Sequence, residues 1–265
     1  MLEGMSPAPA PALCVLLDLD GTLVDSEPNY YEAGRRLLAR YGVTDFGWDD
    51  HTRFIGISTR ETLTILREEY GIEASVEELL AGKNALYLEL AGTSTEVFPE
   101  MRVLVERLHE EGIPMAVASG SSRAAIEATL AVTGLDAFLP LHVSAEEVAR
   151  GKPEPDVFLE AARRLGAEPA ACVVLEDAAP GVRAAQAAGM RCVAVPYVTD
   201  AAGDADTPGP RGAPAPSDPE AVADEAVFRK ADLLFPGGQA EFKAAVLFEW
   251  LTVGRERGFR TAGLA

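Results

Sequence analysis

The chain has 265 residues, of which 48% are hydrophobic, 25% charged and 7% aromatic, values close to those of an ordinary globular protein. This composition excludes a disordered, collagenous or disulfide-rich chain, and the length suffices for one large domain or two smaller ones. With 23 basic and 42 acidic residues the formal net charge is −19, which repels nucleic acids and anionic membranes. We therefore expect neither as a partner, and local cations must bind any anionic ligand.

The first predicted element is a buried strand at residues 13–17, and the sequence DLDGT follows it. From about residue 98 onwards, short apolar runs alternate with segments of helix-forming composition. Strands are predicted at 113–118, 138–143, 172–175, 192–195 and 232–235, and helices at 101–111, 123–132, 155–165 and 181–188. Such alternation is typical of parallel βαβ units. The sequence therefore predicts an α/β fold, a Rossmann-like core with a parallel sheet and helices on both faces.

Residues 28–97 have a different character, because helical patterns at 31–41, 59–70 and 76–90 are separated by no convincing strand. The simplest topology is an all-α cap at 28–97 inserted into a core formed by 13–27 and 98–251. Two linkers, 25–28 and 97–99, would then act as hinges. A stretch rich in Pro, Gly, Ala and Asp at 201–223 is predicted to be a flexible surface insertion in the core.

The cellular setting is predicted from absent signals and from the cysteines. The first twelve residues lack the basic and apolar regions of a secretory signal, and no apolar run approaches the ~18 residues of a membrane span. Cys14, Cys172 and Cys192 are far apart in sequence and stand beside apolar residues, which favours buried thiols in a reducing compartment. We expect a cytoplasmic protein that acts as a monomer.

Two acidic residues directly after the first strand are candidates for catalysis. Asp18 and Asp20 are two positions apart, and such residues point to the same side of an extended backbone. The carboxyl ends of parallel strands are where ligands bind. One carboxylate can serve as a nucleophile while the other serves as an acid and base. A calcium loop is excluded by spacing, because its glycine is the sixth residue, whereas Gly21 is the fourth here.

Three later segments supply the other groups that phosphate chemistry needs. Ser119 and Gly120 precede a predicted helix, whose free N–H groups bind anions, although this pattern is also typical of a simple N-cap. Lys152 lies between glycine and proline before another helix, where a solvated lysine is the alternative. Glu176 and Asp177 end a buried strand and offer the oxygen ligands that Mg²⁺ prefers, or stabilise the following helix.

The ordered combination resembles the haloacid dehalogenase-like superfamily of phosphatases and phosphomutases. Its motifs correspond here to DxDGT at 18–22, then Ser119, Lys152 and the acid pair Glu176-Asp177. A helical segment after the first motif, together with GKPEPDVF and LEDAAPGVRAAQAAGM, is similar to the β-phosphoglucomutase-like branch. The resemblance covers about residues 13–235.

The resemblance implies a role for each matched residue. Asp18 would attack phosphorus to form an aspartyl-phosphate, while Asp20 would protonate the leaving alcohol and later activate water. The phosphate-binding residues would be Ser119, Gly120 and Lys152, and the Mg²⁺ ligands Asp18, the Asp20 carbonyl, Glu176 and Asp177. In the cap, the resemblance extends to substrate-contacting residues at Arg60, Lys83 and Asn84, for which a solvated helix face is the alternative.

The activity implied is Mg²⁺-dependent hydrolysis of a small phosphorylated metabolite, a sugar or polyol phosphate. A β-phosphoglucomutase-type mutase is the alternative, but its pattern has a histidine twelve residues after the nucleophile, where this chain has Tyr30. Asp20 and the Glu176-Asp177 pair argue against the dehalogenase and phosphonatase members. A catalytically silent phosphate-binding protein is less favoured, because all four motifs are intact.

Overall fold

The computed structural model describes residues 11–55, 59–198 and 219–256. Strands and helices are numbered in chain order. The strands are β1 (Cys14–Leu17), β2 (Val24–Asp25), β3 (Glu96–Val97), β4 (Met115–Ser119), β5 (His142–Ser144), β6 (Cys172–Glu176), β7 (Arg191–Ala194) and β8 (Leu233–Leu234). The α-helices are α1 (Glu27–Ala39), α2 (Trp48–Thr52), α3 (Thr59–Glu69), α4 (Val76–Ser94), α5 (Pro99–Glu110), α6 (Arg123–Thr133), α7 (Asp156–Leu165), α8 (Ala179–Ala187), α9 (Pro219–Phe228), α10 (Gly238–Glu241) and α11 (Ala244–Glu256).

The main sheet has six strands in the order β5-β4-β1-β6-β7-β8, and each neighbouring pair is parallel. In β1, Val15 and Leu17 belong to a buried cluster with residues of α5, α6 and α11. Cys14 and Leu16 belong to the cluster on the opposite face, with residues of α7 and α8. Alternate side chains of a strand point to opposite faces, so both faces of β1 are covered by helices. The predicted α/β class with a parallel sheet is confirmed.

The connections between strands and helices follow the local sequence. At the start of α6, the Ala125 N–H donates to the Ser122 side chain at 3.3 Å. Gly134 ends α6 and Gly166 ends α7, both with a φ of 67°. A left-handed residue after a helix favours glycine, because glycine has no Cβ to strain the backbone. The helices predicted at 123–132 and 155–165 thus agree with α6 and α7 to within one residue at each end.

The cap, defined here as α1–α4, lies in sequence between β2 and β3. It has its own buried cluster, which includes Leu37, Phe46, Leu63 and Leu86, and α4 packs against α1, α3 and the core helix α6. The short helix α2 was not predicted. The predicted hinge linkers, 25–28 and 97–99, begin at the ends of β2 and β3, which pair with each other in antiparallel register. Their role as hinges stays a prediction. The cap boundaries at 28 and 97 stay a prediction.

Two sequence predictions about the core need correction. The strand predicted at 138–143 is shortened to β5 because Pro140 has no N–H with which to join a ladder. The irregular insertion predicted at 201–223 ends earlier, since α9 begins at Pro219, and proline is favoured in a first helical turn. Residues 201–218 lie outside the described residues. The three cysteines are buried and free, as predicted. Helix α11 was not predicted.

No helix within 11–55, 59–198 and 219–256 combines the length and the apolar character needed to cross a bilayer.

Candidate active site

Asp18 lies at the carboxyl end of the central strand β1. Its backbone N–H donates to the Leu175 carbonyl at 3.0 Å, which continues the pairing with β6 beyond the last residue of β1. The chain then turns tightly at Gly21, which has a φ of 80° and donates its N–H to the Val24 carbonyl at 2.9 Å. The turn brings Asp18 beside the acidic end of β6, at the edge of the sheet where α/β proteins bind ligands.

Lys152 forms ion pairs with acidic residues at the ends of β1 and β6, because its ammonium contacts both Asp18 Oδ1 and Glu176 Oε1. The three side chains are 12%, 8% and 1% exposed, respectively. Burial disfavours the charge of Lys152, but the charges of Asp18 and Glu176 outweigh burial and raise the lysine pKa. Lys152 is therefore a fixed cation beside Asp18, which suits a group that holds a phosphoryl oxygen.

Burial also acts on the carboxyl groups of this site. Burial raises the pKa of Asp18 to about 8; Lys152 opposes this rise, and the charges of Glu176 and Asp20 add to it. Burial raises the pKa of Asp177 well above its usual value, with Glu176 and Asp18 as further causes. The site therefore holds more buried negative charge than one lysine can balance, a condition that favours an additional cation.

Asp18, Glu176 and Asp177 each offer one carboxylate oxygen, and these oxygens lie within 4.8 Å of one another. Thr22 donates its hydroxyl to Asp177 Oδ1 at 2.9 Å and so orients that carboxylate. A Cβ on Gly21 would lie 2.3 Å from Asp177 Oδ2, so a glycine is needed for this close approach. A compact set of hard, buried oxygen donors fits a divalent cation such as Mg²⁺.

The Asp20 carboxylate takes no part in this set of oxygens and is held by other groups. Tyr87 of α4 donates its hydroxyl to Asp20 Oδ1 at 2.6 Å. Ser121 donates to Asp20 Oδ2 at 2.6 Å, and Ser119 donates to the same oxygen at 3.3 Å. Burial raises the pKa of the Tyr87 phenol well above its usual value, with Asp20 as the next cause, so the phenol remains a donor. Asp18 and Asp20 thus have separate surroundings, as two carboxylates with different roles require.

Ser119 is the last residue of β4, and Gly120 follows it, before the start of α6. Ser119 is fully buried and accepts the Ser121 N–H at 3.0 Å, whereas Gly120 is exposed. The Gly120 backbone is therefore open to a ligand, while the Ser119 hydroxyl is directed to the interior of the site.

The three cap residues predicted to contact the substrate lie in different surroundings in the structure. Lys83 is 6% exposed, and its Nζ lies 5.5 Å from the centroid of the Tyr30 ring. Burial lowers the pKa of Lys83 to about 8, although the charge of Glu27 opposes this. Asn84, the next residue on α4, is exposed.

Arg60 is the second residue of the cap helix α3. Residues 56–58, which precede this helix, lie outside the described residues. Its guanidinium donates to Glu77 Oε1 at 2.7 Å, and both side chains are more than half exposed. The structure thus brings Lys83 to the aromatic side chains next to Asp20 but pairs Arg60 with another cap residue at the surface.

A comparison with known families agrees with this geometry. Residues 15–195 match the sequence profile of a family described as haloacid dehalogenase-like hydrolase. The chain belongs to the haloacid dehalogenase-like hydrolases. The matched segment begins in β1 and ends just after β7. It therefore contains the carboxyl ends of β1 and β6, Lys152 and the whole cap.

Individual haloacid dehalogenase-like proteins are also similar to this chain. The bifunctional riboflavin kinase/FMN phosphatase of Arabidopsis thaliana is 37% identical over 189 residues, which are 69% of this chain but 48% of that protein. The chain therefore spans about half the length of that relative. The fructose-1-phosphate phosphatase YqaB of Escherichia coli is 35% identical over 68% of this chain and 95% of its own length.

Among solved structures, a putative β-phosphoglucomutase from Thermotoga maritima superposes with a TM-score of 0.63 at 28% identity. The match covers 92% of this chain and 99% of that one. The predicted resemblance to the β-phosphoglucomutase-like branch of the haloacid dehalogenase-like phosphatases is confirmed. The chain is a phosphoric monoester hydrolase of that family.

Sequence reasoning missed two of the side chains that contact Asp20. Ser121 lies in the motif segment after β4, but only Ser119 and Gly120 were selected there. Tyr87 belongs to no motif of this haloacid dehalogenase-like hydrolase. Its one signal is helical spacing, because Lys83 and Tyr87 are four positions apart and therefore share a face of α4.

Proposed function

We propose that the protein is a Mg²⁺-dependent phosphatase that hydrolyses a small sugar or polyol phosphate through an aspartyl-phosphate on Asp18. The observation that carries this proposal is the contact of Lys152 with both Asp18 and Glu176 at the junction of β1 and β6. A nucleophile, a fixed cation and three clustered carboxylates are the groups that phosphoryl transfer requires.

In the first step of this proposal, an Asp18 carboxylate oxygen forms a bond to phosphorus as the bond to the alcohol oxygen breaks. Asp20 gives its proton to the departing oxygen, so the alcohol leaves neutral. Lys152, the Ser119 hydroxyl and the Gly120 N–H would bind the oxygens of the transferred group. Before reaction the Lys152 ammonium is already in contact with Asp18, so little rearrangement is needed.

In the second step, Asp20 takes a proton from water while the water oxygen bonds to phosphorus. The bond between phosphorus and the Asp18 oxygen breaks, which returns the Asp18 carboxylate and releases inorganic phosphate. The same residue thus acts first as acid and then as base, as a reaction through a covalent intermediate demands.

The metal ligands in this proposal are the carboxylates of Asp18, Glu176 and Asp177 and the carbonyl of Asp20. When bound, Mg²⁺ would neutralise charge on the phosphoryl group and keep Asp18 ionised. Glu176 is well fixed for this purpose, because the N–H groups of Asp177 and Ala178 both donate to its Oε2 at 3.2 Å.

The cap would select the substrate, with Lys83, Asn84 and Arg60 as its contacting residues. Lys83 has the strongest support, since it is buried beside Tyr30 and near the Asp20 surroundings. Arg60 would have to leave Glu77 to contact a ligand. The fructose-1-phosphate phosphatase of Escherichia coli, which is 35% identical, supports a sugar phosphate as the substrate class.

The proposal also covers the setting of the enzyme, a monomer in the cytoplasm acting on a small phosphorylated metabolite. Three buried cysteines with free thiols support a reducing compartment. Light scattering coupled to size-exclusion chromatography tests the monomer, and a dimer would contradict it.

The function is tested by phosphate release from a panel of sugar, polyol and nucleotide monophosphates, with Mg²⁺ or with a chelator. Isomerisation of β-glucose 1-phosphate is followed in parallel, and Asp18→Asn is the control. We expect Mg²⁺-dependent release that Asp18→Asn abolishes. Isomerisation without release would identify a mutase, despite Tyr30, and the absence of both reactions would favour a phosphate-binding protein.

A further inference from the structure

Asp20, the proposed acid and base, forms a closed ring of contacts with three other side chains. Tyr87 donates to Asp20 Oδ1, and Ser121 donates to Asp20 Oδ2, each at 2.6 Å. The Tyr30 hydroxyl lies 3.0 Å from the Ser121 hydroxyl. The rings of Tyr30 and Tyr87 stack with centroids 4.2 Å apart and an interplanar angle of 20°, which closes the ring. We call these four residues the Asp20 clamp.

The donor of each hydrogen bond in the clamp can be assigned. A serine hydroxyl has one proton, and Ser121 gives its proton to Asp20, so the proton between Ser121 and Tyr30 comes from Tyr30. Ser121 is fixed in turn, because Ser144 donates to its backbone carbonyl at 2.7 Å. The hydroxyl protons of Tyr30, Ser121 and Tyr87 are therefore all directed along bonds that lead to the Asp20 carboxylate.

The clamp also joins the two parts of the molecule. Tyr30 on α1 and Tyr87 on α4 belong to the cap, whereas Asp20 and Ser121 follow core strands. Tyr87 is 5% exposed, so its phenol would be left without a strong acceptor if it did not reach Asp20. A phenylalanine would fill the same space in the cap, so packing alone does not require the hydroxyl.

Resting on the function proposed above, we propose that Tyr87 and Ser121 are positioning residues that fix the Asp20 carboxyl for proton transfer. Tyr87 holds one oxygen from the cap, and Ser121 holds the other from the core. Tyr30 orients both of them, through its hydroxyl and through the stacked ring. Neither Tyr87 nor Ser121 needs to touch the substrate for this role.

The role predicts a dependence on the leaving group. An alkoxide must be protonated as it leaves, so an alkyl phosphate needs a well-placed Asp20. A 4-nitrophenolate leaves without protonation, so 4-nitrophenyl phosphate does not need one. The parameter to compare is kcat/KM, because it reports the steps up to release of the first product. A general loss of structure would lower kcat/KM for both substrates alike.

The variant that tests the proposal is Tyr87→Phe, which removes the hydroxyl and keeps the ring. We expect kcat/KM to fall about tenfold or more for fructose 1-phosphate and to stay within about twofold for 4-nitrophenyl phosphate. Ser121→Ala should show the same selectivity. Tyr31→Phe is the matched control, since its ring packs against Phe46, Trp48 and His51 in the cap, away from Asp20. We expect this control to leave both substrates unaffected.

Equal losses for the two substrates, or no loss for either, would overturn the positioning role while leaving the phosphatase intact. Circular-dichroism melting checks that each variant folds. If Tyr87→Phe does not fold, Ser121→Ala decides by the same comparison. The proposed function itself fails if the wild-type protein hydrolyses neither substrate, that is, if it releases phosphate no faster than Asp18→Asn. That result would overturn the role of the clamp as well.

Discussion

Replacing Lys83 by methionine should make the protein more stable near neutral pH while it weakens substrate binding. Lys83 is 6% exposed and lies over the Tyr30 ring, and the negative charge of Glu27 partly offsets its burial. Methionine has a similar length and no charge, so it keeps the packing and removes the need to bury an ammonium group. The variant therefore separates the effect of the Lys83 charge on stability from its proposed role in substrate binding.

The magnitude follows from the pKa of Lys83, which falls from 10.5 to about 8. Each pH unit corresponds to ~1.4 kcal/mol, so the charged form is disfavoured by about 3 kcal/mol inside the protein. This destabilisation is fully present below pH 8. Between pH 8 and 10.5 the unfolded chain binds the proton more tightly than the native one, so wild-type stability rises with pH and the penalty disappears.

Urea unfolding of both proteins from pH 7 to 10.5 provides the measurement. We expect Lys83→Met to be more stable by about 3 kcal/mol at pH 7, and the difference to shrink towards zero at the highest pH. Lys230→Met, at an exposed position, is the control and should change stability by less than about 0.5 kcal/mol. A variant no more stable than wild type at pH 7, or a difference independent of pH, would refute the reasoning. In the same samples KM for the substrate should rise about tenfold, the equivalent of ~1.4 kcal/mol of lost binding.

Four further predictions concern the core site and the insertion. Asp18→Asn should reduce kcat to below about a thousandth of wild type with unchanged melting, and phosphate release above about a tenth would contradict the assignment. Gly21→Ala should destabilise the fold by about 2 kcal/mol or more and weaken Mg²⁺ binding. The reason is that φ is 80° at this residue and the new Cβ would lie 2.3 Å from Asp177 Oδ2. An unchanged Mg²⁺ affinity, measured by calorimetry, would be inconsistent with this. A chelator should abolish turnover and added Mg²⁺ restore it, so activity that persists in the chelator would argue against metal dependence. Replacement of 201–218 by a short Gly-Ser linker should leave kcat within about twofold, whereas a large loss would mean that the insertion reaches the site.

The core site was predictable from sequence because each of its groups directly follows a buried strand or precedes a helix. Asp18 follows β1, Ser119 ends β4, and Glu176 ends β6, so the parallel order of the strands brings them to one edge of the sheet. The parallel class itself was predictable from the alternation of apolar runs and helical segments. Local patterns thus determine both the fold and the position of these groups.

The remaining contacts depend on how the cap packs on the core, which no local pattern encodes. Tyr87 reaches Asp20 across 67 positions of sequence, and Tyr30 reaches Ser121 across 91. Contacts within the cap are equally hidden from local patterns, because the partner of Arg60, Glu77 of the next helix, could not be chosen from among the many acidic residues of the chain. Helix α2 was missed because five residues are too few to show a helical period.

The pairing of β2 with β3 has a consequence for how this molecule could change over evolution. Val24 faces Val97 and Asp25 faces Glu96, and the Phe98 N–H donates to the Leu23 carbonyl at 3.1 Å. The two ends of the inserted segment are therefore neighbours, about 5 Å apart as in any antiparallel pair. A segment attached in this way is a cassette, because a turn, a different helical bundle or a sheet could replace it without moving the strands that carry the acids. With the proposed role of the cap in selecting the substrate, such a replacement would change substrate preference as a unit and leave the chemistry of the core unchanged.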